Sequence, residues 1–268
     1  MKSNALRLGA AAVLTTFALL GCRATDPPDH TVGWTPDRLY AEAKQEMGSG
    51  NYTRAVEMLG KLESRYPFGR WAQQAQLETA WAHYKDGERA LALAAIDRFM
   101  RLHPEHSAMD YALYLKGLIN FNEQQGVGAW IGKQDLAERD LDAAREAFDT
   151  FKQLVTRYPE SRYAGDAEQR MNYLLSAMAR GETQIARYYL SRGANVAAAN
   201  RAQNVLRQYP QAPAQEDALA ILVVAYDRMG MEELRDDSRR VLDLNFPNSQ
   251  APQRVVHADD RRWWQVWR

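Results

Sequence analysis

His103, Glu105 and His106 have side chains that bind transition metals, and they stand close together in the chain. A zinc site on a helix places its two histidines four residues apart, so that both project from one face. Here the histidines are three residues apart, and Pro104 breaks the helix that would align them. The sequence therefore predicts no metal site at this position.

Gly132-Lys133 resembles the end of a phosphate-binding loop. In such a loop another glycine lies five residues before the second one, and Ser or Thr follows the lysine to bind Mg²⁺. Val127 and Gln134 occupy these two positions instead. Neither this stretch nor the histidines supply a catalytic residue, so the sequence predicts a protein that is not an enzyme.

The third stretch with chemical potential is the N-terminus, which leads to the only cysteine of the chain, Cys22. Lys2 and Arg7 precede an apolar run from Leu8 to Leu20. This run is too short to span a bilayer as a helix and is typical of a secretory signal. Leu19-Leu20-Gly21-Cys22 resembles the bacterial lipoprotein box, where the signal is cleaved before the cysteine and lipid is attached to it.

The lipoprotein box implies that residues 1–21 are a cleaved signal peptide. It also implies a diacylglycerol on the sulfur of Cys22 and an acyl chain on its amine, with no other cofactor. Arg23, where inner-membrane lipoproteins commonly have Asp, favours the periplasmic face of a Gram-negative outer membrane. Residues 22–33 are polar, contain proline and are predicted to form a flexible lipidated tether. The alternative is an ordinary signal peptide followed by a chance cysteine.

The charge balance excludes one large class of partner. The chain has 34 basic and 34 acidic residues, and loss of Lys2 and Arg7 with the signal leaves a formal charge of −2. Nucleic-acid binding needs a concentrated basic surface, which this balance does not favour. With 25% charged and 46% hydrophobic residues, the composition is that of a soluble folded protein that does not bind nucleic acid.

A phrase of three residues repeats along the chain: an alanine, a proline twelve residues later, and a second alanine eight residues after the proline. An aromatic or imidazole ring precedes each proline, and a fifth, degenerate copy ends in Phe246-Pro247. Internal periods of this size indicate stacked repeats rather than one globular core. The four full copies are Ala55/Pro67/Ala75, Ala92/Pro104/Ala112, Ala147/Pro159/Ala167 and Ala198/Pro210/Ala218.

Apolar residues fall at helical spacing between the prolines, and glycine-containing breaks divide each interval into two helices. The pattern is that of the tetratricopeptide repeat. It predicts an all-α, right-handed solenoid of about five helix pairs over residues 34–247. Two intervals are longer than the repeat, which predicts a loop near residues 123–138 and a first helix lengthened to about 163–191. The predicted units are about 35–67, 68–104, 105–159, 160–210 and 211–247.

Several segments beside the prolines are more specific than a generic repeat. Together with the lipoprotein box they resemble the BamD (ComL) family, over essentially all of residues 34–247. The segments are Tyr66-Pro67-Phe68-Gly69, Gln73 to Leu77, Ala82 to Lys85, Ala94 to Phe99, Asp110-Tyr111, Ala186 to Ala194 and Ala199-Asn200-Arg201.

The resemblance implies a non-catalytic scaffold of the β-barrel assembly (BAM) complex. Its N-terminal repeats would bind the aromatic-ended C-terminal segments of unfolded outer membrane proteins. Its C-terminal repeats would dock the periplasmic POTRA domain of BamA, and other BAM lipoproteins would be further partners. For the substrate groove, the candidates are Tyr40, Arg65, Tyr66, Phe68, Arg70, Trp71, Gln74 and Tyr84. For the docking face, they are Tyr188, Arg192, Asn200, Arg201 and Arg207.

Alternatives stay open for several of these residues and for the function. Tyr66 and Phe68 could instead pack the junction between repeats, and the docking residues could form a solvated basic face. Residues 248–268, a Trp/Arg-rich tail, could cap the solenoid, be disordered, or contact a partner or the membrane. The competing functions are assembly of a type IV pilus secretin by a lipoprotein of the same repeat type, and coordination of periplasmic cell-wall synthesis.

Overall fold

A computed structural model describes residues 29–121 and 134–260 of the chain, and in these ranges every regular element is a helix. The all-α prediction is confirmed. Most of the helices form consecutive antiparallel pairs, each packed against the next along the chain. In chain order the helices are α1 (Pro36–Gly48), α2 (Tyr52–Arg65), α3 (Arg70–Lys85), α4 (Arg89–Leu102), α5 (Met109–Asn120), α6 (Gln134–Arg157), α7 (Ala164–Ser191), α8 (Asn195–Gln208), α9 (Gln215–Arg228), α10 (Glu232–Asn245) and α11 (Ala251–Asp260).

The repeated alanines are the contact points between helices. Ala55, Ala92, Ala147 and Ala198, in the second helix of four pairs, are completely buried. A methyl side chain at this position lets neighbouring helix backbones approach closely, and the proline twelve residues later cannot continue the helix. The residue before each proline ends the second helix through its backbone, as at Tyr209, whose N–H donates to the carbonyl of Val205.

The tight turns within the pairs follow the glycines that the sequence singled out. Gly50 and Gly193 adopt φ values of 78° and 74°, in the left-handed region that costs an L side chain energy. Thr35 is the N-cap of the first helix, because its hydroxyl accepts a hydrogen bond from the Arg38 N–H at 3.4 Å, and Pro36 follows it at the first helical position. The residues at which these helices begin and end are therefore determined by nearby residues in the sequence.

The two intervals between prolines that are longer than the repeat have different structures. The second is a lengthened first helix, α7, which ends at Ser191 as predicted. In the first, the predicted loop at residues 123–138 is partly wrong, because α6 is already helical from Gln134. The rest of that loop, with its glycines and Trp130, lies outside the described residues. The close contact of α5 with α6 centres on Gly117, above the buried ring of Phe151.

Residues 29–33, which we call the N-terminal segment, are held against α2, which contradicts the flexible tether predicted for this part of residues 22–33. Asp29 accepts hydrogen bonds from the backbone N–H and the hydroxyl of Thr31, at 3.0 and 2.7 Å. It also forms an ion pair with Lys61 at 3.0 Å and another with Arg65, both on α2. Thr31 is only 2% exposed. Residues 29–33 are thus fixed to the first unit by side chains that composition alone does not reveal.

The C-terminal tail is also more ordered than its composition suggests. Residues 251–260 form α11, which packs on α9 and α7, the first helices of the last two units. Ala251 and Val255 are buried in the main core, and Arg254 reaches Glu216 at 3.3 Å. The tail therefore covers part of the solenoid, while the Trp/Arg run at 261–268 lies outside the described residues.

Candidate functional site

A cavity of about 460 Å³ lies among the first helices of the second, third and fourth units. The cavity lies between α3, the turn and start of α5, and the two residues that precede α7. We call this cavity and the side chains that border it the groove. Its lining residues are Gln74, Leu77, Glu78, Ser107, Ala108, Asp110, Tyr111, Arg162 and Tyr163.

One wall of the groove is organised around the Glu78 carboxylate. Tyr40 donates its hydroxyl to Glu78 at 3.0 Å, Gln74 donates its amide at 3.1 Å, and Lys44 forms an ion pair at 3.1 Å. Burial and the neighbouring carboxylate raise the pKa of Tyr40 to about 12, so the phenol remains a donor at neutral pH. The Tyr40 ring lies 5.5 Å from that of Trp71. This wall is aromatic, and its charge is balanced.

The opposite wall is built from tyrosines. The ring of Tyr163 stacks on Tyr114 with centroids 4.6 Å apart and lies 5.6 Å from Tyr111. Burial raises the pKa of Tyr111, yet its hydroxyl makes no hydrogen bond to any residue that the structure describes. The exposed guanidinium of Arg162 lies over Tyr163 at 4.7 Å. The Arg162 guanidinium also donates a hydrogen bond to the Tyr163 hydroxyl. Its remaining N–H groups and the Tyr111 hydroxyl can bind peptide carbonyls or a carboxylate.

Of the eight predicted groove residues, Gln74 lines the cavity. Tyr40 borders it through its hydrogen bond to Glu78, and Trp71 lies beside the Tyr40 ring, towards the end of the first unit. Arg65 is used elsewhere, since it donates to the carbonyl and the hydroxyl of Thr31 and so holds the N-terminal segment. Tyr84 packs into the core between α3 and α4. For Arg65 and Tyr84 the placement therefore argues against a groove role.

Tyr66, Phe68 and Arg70 lie at the end of the first unit rather than in the groove lining. Tyr66 donates its hydroxyl to the carbonyl of Trp34 at 3.2 Å and packs on the first core cluster, as its alternative assignment held. Phe68 does not pack a junction, because 89% of it is exposed. Arg70 is exposed, with its guanidinium 4.7 Å from the Trp71 ring.

Sequence reasoning missed the residues that form most of the cavity, although a signal was present. Gln74 and Tyr111 each stand immediately before the second alanine of the repeated phrase, and Asp166 and Asp217 hold the same position in later units. All four residues lie on first helices at one repeat position, so they point to one face of a solenoid. Two of the four, Gln74 and Tyr111, line the cavity.

The predicted docking residues form two separate groups. Arg192 lies over the Tyr188 ring at 5.4 Å at the end of α7. Asn200 and Arg207 are exposed and seven residues apart on α8, and therefore share a helix face. Arg207 lies near the opposite end of α8 from Arg192, about 18 Å away along the helix axis. The five residues thus do not form one compact patch.

Arg201, the fifth docking candidate, takes part in an internal ion pair. It contacts Glu182 at 3.0 Å, and Arg145 contacts the same carboxylate at 3.3 Å from the other side. Glu182 is 2% exposed, so its charge depends on these two arginines, which tie α6 and α8 to α7. The Arg201 side chain is still 38% exposed, but its ion pair with Glu182 stabilises the fold.

His103 and His106 form part of a chain of polar contacts. His103 contacts the side-chain oxygen of Gln76 at 3.0 Å, and the Gln76 amide donates to Glu63 at 2.9 Å. The ring of His106 lies 6.3 Å from that of His103, and its Nδ1 accepts from the Ala108 N–H. Within 29–121 and 134–260 no cluster of three potential metal ligands occurs. In the same ranges no helix is both long and apolar enough to cross a membrane.

Comparison with known proteins gives one consistent result. The sequence model of the YfiO family, described as outer membrane lipoprotein, matches residues 34–242. Outer membrane protein assembly factor BamD of Neisseria meningitidis serogroup B is 50% identical over 237 residues, covering 88% of this chain and 89% of that protein. BamD of Neisseria gonorrhoeae is 46% identical over the full length of both chains. BamD of Xylella fastidiosa strain Temecula1 is 40% identical, over 89% of this chain and 82% of its own length.

Proposed function

Because this chain belongs to the BamD (YfiO) family of outer membrane lipoproteins, we propose that it is a non-catalytic scaffold for the assembly of β-barrel proteins into the outer membrane. The family match spans both the first and the last unit of the solenoid. A stacked-helix solenoid suits this role, since it presents an extended surface and rigid ends without needing a reaction centre.

We propose that the groove binds the C-terminal segment of an unfolded outer membrane protein. The observation that carries this assignment is the cavity between α3, α5 and the start of α7, with its aromatic and balanced polar lining. Leu77 and the tyrosine rings suit an aromatic side chain, while the free Tyr111 hydroxyl and Arg162 suit the peptide backbone and a terminal carboxylate. Glu78 does not repel such a ligand strongly, because Lys44 neutralises it.

Two arginines offer a matched test of the groove. Arg162 and Arg157 are both exposed, and each lies over the tyrosine that follows it, at 4.7 and 5.4 Å. Only Arg162 lines the cavity. Replacing Arg162 by Ala should weaken binding of a peptide with a C-terminal aromatic residue by about tenfold, the loss expected for one charge-assisted hydrogen bond. Arg157→Ala should bind normally, and equal losses in both variants would refute the assignment.

For the partner surface, we propose that the outer face of α8 and the end of α7 dock the POTRA domain of BamA. Arg192 and Arg207 are the better test residues, because Arg201→Glu would place a second carboxylate beside the buried Glu182 and could unfold the unit. Arg101 stands at the same repeat position as Arg207, three residues before its proline, and serves as the control.

The docking experiment is a titration of the isolated BamA periplasmic region with Arg192→Glu, Arg207→Glu and Arg101→Glu variants. The first two should lose affinity, and the third should not. Cross-linking in outer membranes gives an independent check. Recovery of a secretin or of cell-wall enzymes without BamA or other BAM lipoproteins would overturn the proposed function as a whole.

We further propose that Cys22 carries the lipid anchor and that the protein works on the periplasmic face of the outer membrane. Cys22 lies outside the described residues, and the support is the lipoprotein box together with the family description. Metabolic labelling with palmitate should mark the wild-type chain. Cys22→Ser should abolish the label and release the protein from outer membranes.

A further inference from the structure

We propose that one end of the first unit lies against the lipid bilayer, with Val32 and Phe68 inserted among the lipid headgroups. This inference rests on the proposed acylation of Cys22. We call this surface the anchor end and define it by Val32, Trp34, Phe68 and Trp71, with the arginines that lie on the two tryptophans.

The anchor end carries two exposed apolar side chains that the fold does not use. Phe68 is 89% exposed and Val32 is 76% exposed. Both lie at the end where α1 begins and α2 terminates, because Arg65 at the end of α2 donates to the carbonyl of Thr31. At the same end, the Tyr66 hydroxyl donates a hydrogen bond to the Trp34 carbonyl. Val32 precedes Trp34 by two residues and Phe68 follows Tyr66 by two residues, so both apolar side chains lie beside these hydrogen bonds.

The residues around them have the composition of a membrane interface. Trp34 and Trp71 are half-buried, and each has a guanidinium over its ring: Arg38 at 4.0 Å and Arg70 at 4.7 Å. Tryptophan is enriched at the headgroup level because its ring is apolar and its N–H is polar. Arginine can extend its charge to lipid phosphates while its stem covers apolar surface.

The length of chain before the anchor end identifies the bilayer as the occupant. Asp29 is fixed to α2 by Lys61 and Arg65, so free chain can begin only before it. Cys22 is seven residues earlier, and seven residues span at most about 25 Å at full extension. The proposed acyl chains therefore keep this end of the solenoid within about 25 Å of the lipid surface.

The test uses the full acylated chain in vesicles of phosphatidylethanolamine and phosphatidylglycerol. Three single variants, Val32→Cys, Phe68→Cys and Leu244→Cys, each receive an environment-sensitive fluorophore on the new thiol. Leu244 is the matched control, since it is 80% exposed and lies on α10 in the last unit. Emission wavelength and protection from an aqueous quencher are measured on vesicles recovered by flotation.

The expected result is a blue shift and protection from the quencher at positions 32 and 68, with neither effect at 244. If the chain floats with the vesicles but labels at 32 and 68 stay as accessible as the label at 244, the anchor stands and the contact is refuted. If the chain does not float, the proposed acylation fails, and this inference fails with it. A label at 68 that responds to an aromatic-ended peptide and not to vesicles would assign the surface to substrate and overturn the proposal.

Discussion

Gly117 lies within α5, where replacement of glycine by alanine normally stabilises a helix by about 0.5–1 kcal/mol. At Gly117 the surroundings reverse this effect, so that the alanine is expected to destabilise the protein. A Cβ atom built on Gly117 would lie 2.3 Å from Cε1 of Phe151, 2.6 Å from Cδ1 and 2.7 Å from Cζ. Carbon atoms pack at about 3.5–4.0 Å, so the ring would have to move by about 1 Å or more.

Phe151 cannot make this movement freely. It is completely buried, with the rings of Tyr114 and Phe121 at 6.2 and 6.3 Å. Overpacking of a filled core costs about 1–3 kcal/mol, which outweighs the gain in helix propensity. We expect Gly117→Ala to lower the free energy of unfolding by about 1–2 kcal/mol.

Gly60 provides the control, because it lies within α2 and an added Cβ would meet nothing within 4 Å. Gly60→Ala should raise the free energy of unfolding by about 0.5–1 kcal/mol. Urea unfolding followed by circular dichroism measures both variants. A Gly117→Ala protein as stable as Gly60→Ala would show that the contact with Phe151 relaxes at no cost. Partial rescue of Gly117→Ala by Phe151→Leu would identify the ring as the obstacle.

Three further predictions follow from contacts outside the groove. Arg65→Met should release the N-terminal segment and speed hydrogen exchange at the Thr31 amide, whereas Arg54→Met on the same helix should not. Glu182→Gln should lower the free energy of unfolding by about 1–3 kcal/mol, since it removes the shared partner of two arginines, and no change in urea unfolding would contradict the buried ion pair. Burial and the neighbouring histidine lower the pKa of His103 in the fold, so the unfolded chain binds a proton more readily. Stability should therefore fall as pH drops through the ordinary histidine range, by less in His103→Gln, and an NMR titration of the ring should show the lowered pKa.

Much of the fold could be predicted because its determinants are local and periodic. Each buried alanine, each proline with its preceding ring and each turn glycine acts within one unit. The lengthened α7 followed from the interval between two prolines in the same way. The ion pairs between Asp29 and α2 could not be predicted. The pair with Arg65 joins charged residues 36 positions apart, and residues of these types are also common on solvated surfaces.

The groove was predicted less well than the fold for a related reason. Most of the groove residues predicted from the family resemblance flank the first proline. Several of them instead fix the N-terminal segment or lie at the anchor end. Tyr111 and Arg162 come from different units, and only the stacking of first helices brings them to one cavity. A site shared between repeats is visible when one repeat position is followed across units, not when one unit is read alone.

The position of α11 limits the surface that the first helices can offer to a ligand. It packs on α9 and α7, the first helices of the last two units, so the first helices before α7 are those without this cover in the part of the chain that the structure describes. The first helices α1, α3 and α5 contact one another in turn, and at about 8–10 Å spacing they form a row about 16–20 Å long. An extended peptide advances about 3.3 Å per residue, so a peptide lying across this row would contact it over about five or six residues. A transmembrane β-strand has about 9–11 residues, so under the proposed function the scaffold would hold only part of one strand at a time.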